Sequence, residues 1–414
     1  MNLPLDFIKQ IKDLLGIEGS EKLFAALREP SPVSIRLNPA KKNDHLSASV
    51  SGLQPIPWCS EGYYLPQRLT FTFDPLFHAG CYYVQEASSM FLAQAIQQYI
   101  KEPVLALDLC AAPGGKSTHL RSLLPANSTL VANEVIRNRS QVLVENLIKW
   151  GYPRVVVTNN DPADFGETNT LFDLILADVP CSGEGMFRKD AAAIDEWSPA
   201  NVDICWKRQR RIVGDIWSSL KPGGLLIYST CTYNIKENEE NVAWICTELG
   251  AEALVVETPA AWGITGNLHG TDVPVYRFLP HRVTGEGFFM AVLRKAGEGG
   301  DTRFSGKKLR VITDGIPPGT QKGKDIIPPH ALAMSISFPA DTFPQVEITY
   351  QQAIAYLRRE SIVLDNSIPR GYVVVTYKSV PLGFVKNIGN RANNLYPNEW
   401  RIRSGYLPEE IKLL

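Results

Sequence analysis

Two cysteines stand where a chain of alternating strand and helix patterns would present its chemistry. Cys181 in ADVPCSGEGMF (177–187) and Cys231 in YSTCTYN (228–234) each follow an apolar run. Each therefore falls beyond the carboxyl end of a predicted sheet strand, the usual place for ligands in α/β architectures. A thiolate at such a place can act as a nucleophile. Methylation of cytosine at C5 demands one, because that ring carbon is not nucleophilic; addition of a thiolate to C6 creates an enamine that can attack a sulfonium methyl. An ordinary thiol, with a pKa of about 8.5, is only partly ionised at neutral pH, so the site must favour the thiolate. Asp178, three residues before Cys181, is placed to hydrogen-bond the ring N3 and amino edge while negative charge develops. Lys116 is a candidate to neutralise charge at the cytosine O2.

A glycine-rich turn supplies the second component. DLCAAPGGKST (108–118) leads from an apolar run into a helical pattern, and its small residues let a ligand approach the backbone. A phosphate-binding GxxxxGK[ST] loop would need glycine where Cys110 stands, and Pro113 fills the loop centre. The adjacent Gly114 and Gly115 do not fit GxGxxG either. Carboxylates close the next two strand-like runs: Glu134 suits ribose hydroxyls and Asp161 suits an adenine amino group. One such carboxylate alone reads as a helix cap. Two in succession behind this turn indicate an adenosine ligand without a phosphate tail, and S-adenosylmethionine fits. The expected cofactor contacts are Cys110, Ala111, Ala112, Pro113, Gly114, Gly115 and Lys116, with Glu134, Asp161 and Asp178; Cys110 would serve through its backbone.

Holding these residues together requires a sheet. VLALDLC (104–110), STLVANEV (128–135), RVVVTNND (154–161), LFDLILADVPC (171–181) and GGLLIYSTC (223–231) alternate with helical patterns, which predicts an α/β fold, a doubly wound Rossmann-like sheet covered on both faces. The pattern closes near GFFMAVLRK (287–295). In the long helix near 200–220, Ile204, Ile212, Ile216 and Leu220 are expected to face the sheet while WKRQRR (206–211) faces water. Residues 1–30 read as two short helices broken at Gly16 and Gly19 with Ser20 as a cap, 31–39 as a strand, and a helix starts near Glu86. Residues 296–330 carry the Gly, Lys and Pro of a linker. GYVVVTYKSVPLGFVK (371–386) reads as two strands around a turn at Ser379–Pro381. The expected division is an N-terminal α+β extension over 1–75, the sheet domain over 76–297, a linker over 298–330 and a small, separate β-rich domain over 331–414.

Composition narrows the class. The 414 residues carry a formal net charge of -1, with 44% hydrophobic and 21% charged residues, an ordinary globular mixture whose bulk charge announces no polyanion. Any nucleic-acid contact must be local. Seven cysteines without a CxxC pair indicate neither a structural zinc site nor a disulfide framework; no metal is expected, and Cys59, Cys81, Cys205 and Cys246 read as small buried apolar residues. The N-terminus lacks a signal-peptide core, and no run reaches the roughly 18 apolar residues of a membrane span. A cytoplasmic protein with free thiols, without membrane association and acting as a monomer, is expected.

DLCAAPGGK, DVPCSGEG and YSTCTYN, with IRLNP (35–39), YYVQEASSM (82–90) and FLPHRVTGEGFF (278–289), resemble the NOL1/NOP2/Sun family of RNA cytosine-C5 methyltransferases over roughly residues 30–295. The resemblance implies that Cys231 is the nucleophile and that Cys181 assists release of the methylated RNA, whereas DNA cytosine methyltransferases attack with the cysteine equivalent to Cys181. It also implies a basic residue near the cofactor at Arg139. The wording PCSGEGMFRKD and the tail PLGFVKNIGNRANNLYPNEWRIR are similar to the bacterial ribosomal small-subunit methyltransferase F branch. That implies a C-terminal PUA-like RNA-binding domain, an RNA-binding N-terminal extension, and small-subunit rRNA or a ribosomal particle as partner. Between 371 and 403, Lys378, Lys386, Arg391, Arg401 and Arg403 face one acidic residue, Glu399, a patch for RNA phosphates with Tyr377, Tyr396 and Trp400 for stacking. A tRNA target, methylation of DNA through Cys181 and a non-catalytic ribosome-assembly factor are the competing readings.

Overall fold

The computed structural model describes residues 2–302, 304–323, 325–339 and 341–414; Arg303 and Lys324, within the expected linker, lie outside the described residues, as do Met1 and Ala340. The apolar runs form one sheet: β1 (Leu105–Asp108), β2 (Thr129–Asn133), β3 (Val155–Thr158), β4 (Phe172–Asp178), β5 (Leu220–Thr230), β6 (Ala251–Leu254), β7 (Tyr276–Phe278), β8 (Phe288–Lys295) and β9 (Val311–Asp314). Its order is β6-β8-β5-β4-β1-β2-β3-β9, with β7 beside β8. Strands β1 to β5 run parallel, and β8 returns antiparallel between β5 and β6. The four-residue run of β1 is buried throughout, as a strand covered by helices on both faces must be. Leu120, Leu174 and Ile227 pack one face, and Ile175, Ile212 and Ile216 the other.

From β1 the chain builds outward through β2 and β3, then returns to lay β4 on the opposite side. The crevice above the carboxyl ends of β1 and β4 is thus the switch point where open sheets bind ligands. The loops after β1, β4 and β5 all open onto it.

Several expectations are corrected. The stretch 298–330 is more than a linker: β9 pairs antiparallel with β3 and extends the sheet, and Thr320–Lys322 pairs with Asp325–Ile327. In the helix Pro199–Ile216 the buried face is Val202, Cys205, Gln209, Ile212, Val213 and Ile216; Ile212 and Ile216 face the sheet as expected, whereas Ile204 is exposed and Cys205 takes its place. Leu220 begins β5. The N-terminal helix Leu5–Arg28 kinks at Gly16, but the hydroxyl of Ser20 donates to the Ile17 carbonyl at 2.8 Å inside the resumed helix, so it is not a cap. The hairpin turn is Lys378–Ser379, both at positive φ (50° and 63°), the form that matches strand twist.

Strand Val33–Leu37 pairs with both Cys59–Leu65 and Tyr82–Val84, so the N-terminal sheet draws on both sides of residue 75. The C-terminal unit is not packed separately. Its Ile354, Leu357, Val373 and Val385 share one core with Ile35, Leu37, Leu46 and Tyr82 of the N-terminal unit.

Candidate active site

Helix Gly115–Leu123 begins at the turn after β1, with Gly114 at φ 115° in its cap position; a Cβ there would lie 3.3 Å from Asn146. The turn is tied down from β2: the Ala111 N–H donates to the Asn133 carbonyl at 2.8 Å, and the Asn133 side chain donates to the Leu109 and Asn160 carbonyls. The helix entry is held from the N-terminal unit, where Arg36, buried over the Trp150 ring, donates to Gln85 and Thr118. Asp108, at the end of β1, accepts from Ser117 at 2.6 Å through one oxygen, while the other is buried without a partner. Burial pushes its carboxyl up to about 7. Asp108 is not among the residues expected from the sequence, although it is the charged residue that ends the otherwise apolar β1.

A cavity of about 340 Å³ lies beside this turn, lined by Cys110, Glu134, Ile136, Arg139, Asp161, Arg208 and Arg211 among others. Glu134 is buried and accepts from the Ile136 N–H at 2.8 Å. Arg139 bridges it to the loop, donating to the Ala112 carbonyl at 2.7 Å with its other nitrogen 3.6 Å from Glu134. Asp161 lines the cavity, but it also caps helix Pro162–Gly166 and pairs with Arg211 at 3.0 Å. Burial works against its charge, yet the hydrogen bonds from Arg211 and the Ala163 N–H hold its carboxyl below the usual range. In the segment 206–211, Lys207, Arg208 and Arg211 are exposed as expected, but not all of it faces water. Arg208 and Arg211 border the cavity, Gln209 is fully buried, and Arg210 lies over the Trp206 and Trp244 rings.

The loops after β4 and β5 bring the two cysteines into contact. Cys181 Sγ and Cys231 Sγ are 3.1 Å apart, and the Cys231 N–H donates to Cys181 Sγ at 3.3 Å. The hydrogen bond with Cys231, together with burial, pushes the Cys181 thiol well up. Facing them, Lys116 Nζ donates to Asp178 at 2.9 Å, and Ser229 donates to the other Asp178 oxygen at 2.7 Å. Burial opposes the Lys116 charge, but Asp178, with further contributions from Cys231 and Asp108, outweighs it and raises its pKa. Lys116 is thus a cation held in the crevice by Asp178.

Two buried carboxylates that sequence reasoning missed join these loops. Glu184 accepts five hydrogen bonds, and Glu237 accepts from the Ser182 N–H, Gln209 and Asn234. The signal was present in the charged residues of PCSGEG and NIKENEE, but only the folded chain supplies their donors.

The remaining cysteines lie apart from the site. Cys59, Cys81 and Cys205 are buried, and Cys246 is partly buried. The C-terminal basic residues do not form one patch. Lys378 occupies the hairpin turn against His45, whereas Lys386 pairs with Asp325 and sits opposite Tyr372, six residues from Lys378 along the partner strand, about 20 Å at strand rise. Arg391, Arg401 and Arg403 are exposed. Tyr377 and Tyr396 are core residues and Trp400 packs on His330, so the expected stacking platform is absent. Among the described residues, no group of three His, Cys, Asp or Glu is arranged to hold a metal, and no helix is long and apolar enough to cross a membrane.

Residues 3–87 match the family model for the N-terminal domain of 16S rRNA methyltransferase RsmF, 96–294 that for 16S rRNA methyltransferase RsmB/F, and 343–402 that for the methyltransferase RsmF PUA domain. Ribosomal RNA small subunit methyltransferase F of Enterobacter sp. is 30% identical over 98% of this chain and 97% of that protein. The protein of the same name from Pectobacterium atrosepticum is 35% identical over 72% of this chain, and that match spans 63% of the relative. A methyltransferase homolog from Pyrococcus horikoshii superposes with a TM-score of 0.60 at 30% identity, covering 70% of this chain and 94% of that one. NSun6 from the same organism, solved with SFG, shares the fold at TM-score 0.59 and 22% identity, covering 71% of this chain and 99% of that one. The chain belongs to the RsmB/F family of 16S rRNA methyltransferases, with the N-terminal and PUA domains of its RsmF members.

Proposed function

We propose that this protein methylates C5 of a cytosine in small-subunit rRNA, using S-adenosylmethionine and a covalent bond from Cys231 to C6 of the base. The observation that carries the reading is the arrangement of Cys231 and Cys181 in contact above the Lys116–Asp178 pair at the switch-point crevice. The residues suit the cofactor. Glu134 lies at the end of β2 beside the cavity, and the unpartnered Asp108 oxygen is a buried acceptor awaiting a donor. When bound, S-adenosylmethionine supplies an electrophilic methyl group on its sulfonium.

The Cys231 thiolate forms the bond to C6. Asp178 holds the N3 and amino edge, and Lys116 faces the O2 side as electron density moves into the ring. After methyl transfer, a base takes the C5 proton, its electron pair re-forms the C5–C6 double bond, and the C6–S bond breaks to release the Cys231 thiolate. Cys181, in contact with the Cys231 sulfur, assists that release. The units over 1–75 and 331–414 supply RNA-binding surface, the exposed Arg391, Arg401 and Arg403 contacting phosphates. That one chain carries the whole site supports action as a monomer.

Incubation of the purified protein with methyl-labelled S-adenosylmethionine and either small-subunit rRNA, free or in particles, or tRNA tests the reading. Label is expected as 5-methylcytidine after nuclease digestion. Label in another nucleoside, or in tRNA alone, would contradict it.

A further inference from the structure

The geometry points to Glu184 as a positioning residue that holds the Cys231 loop in register with the Cys181 loop; this rests on the reading of Cys231 as nucleophile. Glu184 belongs to the loop after β4 and is fully buried. One of its oxygens accepts from the Tyr233 N–H at 2.8 Å and the Asn234 N–H at 3.0 Å, both just beyond Cys231. The other accepts from Asn234 Nδ2 at 3.1 Å, Trp197 Nε1 at 3.0 Å and Gln10 Nε2 at 2.9 Å. The neighbouring Gly185 N–H completes the join by donating to the Cys231 carbonyl at 2.8 Å.

Every atom that meets this carboxylate is a donor. A buried carboxylate is costly unless its lone pairs are filled, and here hydrogen bonds to an ionised acceptor fill them. Its two backbone donors lie two and three residues after the nucleophile, so the carboxylate fixes where Cys231 Sγ stands relative to Cys181 and Lys116. An amide cannot replace it. Whichever way a glutamine is turned, its NH2 faces at least two donors and the loop must move. A misplacement of about 1 Å in a reacting group costs on the order of 10²-fold in rate.

The test is the single-turnover rate of covalent adduct formation with small-subunit rRNA in a C181A background, where release is slow. Adding E184Q is expected to slow the adduct about 10- to 100-fold. The half-saturating RNA concentration and the Kd for S-adenosylmethionine should stay within about threefold. Glu184→Asp, which keeps both acceptor oxygens on a shorter stem, is expected to fall between the two. An unchanged rate with E184Q overturns the assignment, as does a proportional loss of cofactor binding, which would make Glu184 a residue of the fold alone. Should E184Q not melt cooperatively, E184D decides: slowed adduct formation with intact cofactor binding supports the assignment, and the parental rate overturns it. No adduct from C181A itself would instead overturn the Cys231 reading on which the assignment rests.

Discussion

Asp178 and Lys116 act as a unit, because each is the other's nearest opposite charge in a cleft half closed to water. Asp178→Asn removes the group that keeps Lys116 charged against its burial and removes an acceptor for the cytosine edge. Methyl transfer is expected to fall about 10²- to 10⁴-fold, while calorimetric S-adenosylmethionine affinity changes far less. An equal loss in both would mean that the pair serves the cofactor. The residues that meet at the candidate site were legible in the sequence, since thiols and a carboxylate at strand ends announce themselves by type and position. Glu184, Glu237 and Asp108 were not. A buried carboxylate becomes meaningful only when its donors are known, and those of Glu184 come from Gln10, Trp197 and the 233–234 backbone. Asp161 shows the reverse case, where a residue read as a ligand contact also caps a helix and pairs with Arg211.

Helix Arg137–Trp150 ends at Gly151 with φ 84°, and a Cβ there would sit 2.1 Å from the Met334 carbonyl of the C-terminal unit. The Gly151 carbonyl also accepts from the Ile336 N–H at 2.9 Å. This one residue therefore ends a helix of the catalytic sheet and docks another unit. Gly151→Ala adds a left-handed penalty of about 1–2 kcal/mol to the displacement of Met334, and thermal unfolding should show a loss of at least that size. A melt unchanged by the substitution would contradict the docking. The strands were readable because a parallel sheet covered on both faces leaves nearly unbroken apolar runs. β9 was not, because it is short, only partly buried and set among glycines and lysines, and what makes it a strand is the free edge of β3 far away in sequence. The inward turn of Gln209 in the helix Pro199–Ile216 has a similar cause: Glu237 and the Pro180 carbonyl bind its amide.

Across the whole molecule, the N- and C-terminal units share a core beside the catalytic sheet, and two histidines are enclosed there. His78 lies in the N-terminal unit; both ring nitrogens of His330, in the C-terminal unit, are buried without partners. Burial, with Lys149 nearby, pushes both down to about 3. An unfolded histidine titrates near 6.5, so between about 6.5 and 3 the unfolded chain binds more protons. The stability from keeping these rings neutral is complete above about pH 6.5 and is lost as pH falls, by about 1.4 kcal/mol per pH unit for each histidine. Denaturant melts from pH 7 to pH 5 should show that decline, and His330→Phe should flatten it; a slope unchanged by the substitution would contradict the assignment.

The central claim is that Cys231 bonds to the RNA base, and peptide mapping of the trapped adduct tests it most directly. C181A protein incubated with S-adenosylmethionine and small-subunit rRNA, then digested with nuclease and protease, should carry a methylated cytidine nucleotide on the peptide containing Cys231. Cys231→Ala should give neither adduct nor methylation. A nucleotide found on Cys181 of the wild-type protein, or methylation surviving in Cys231→Ala, would contradict the account.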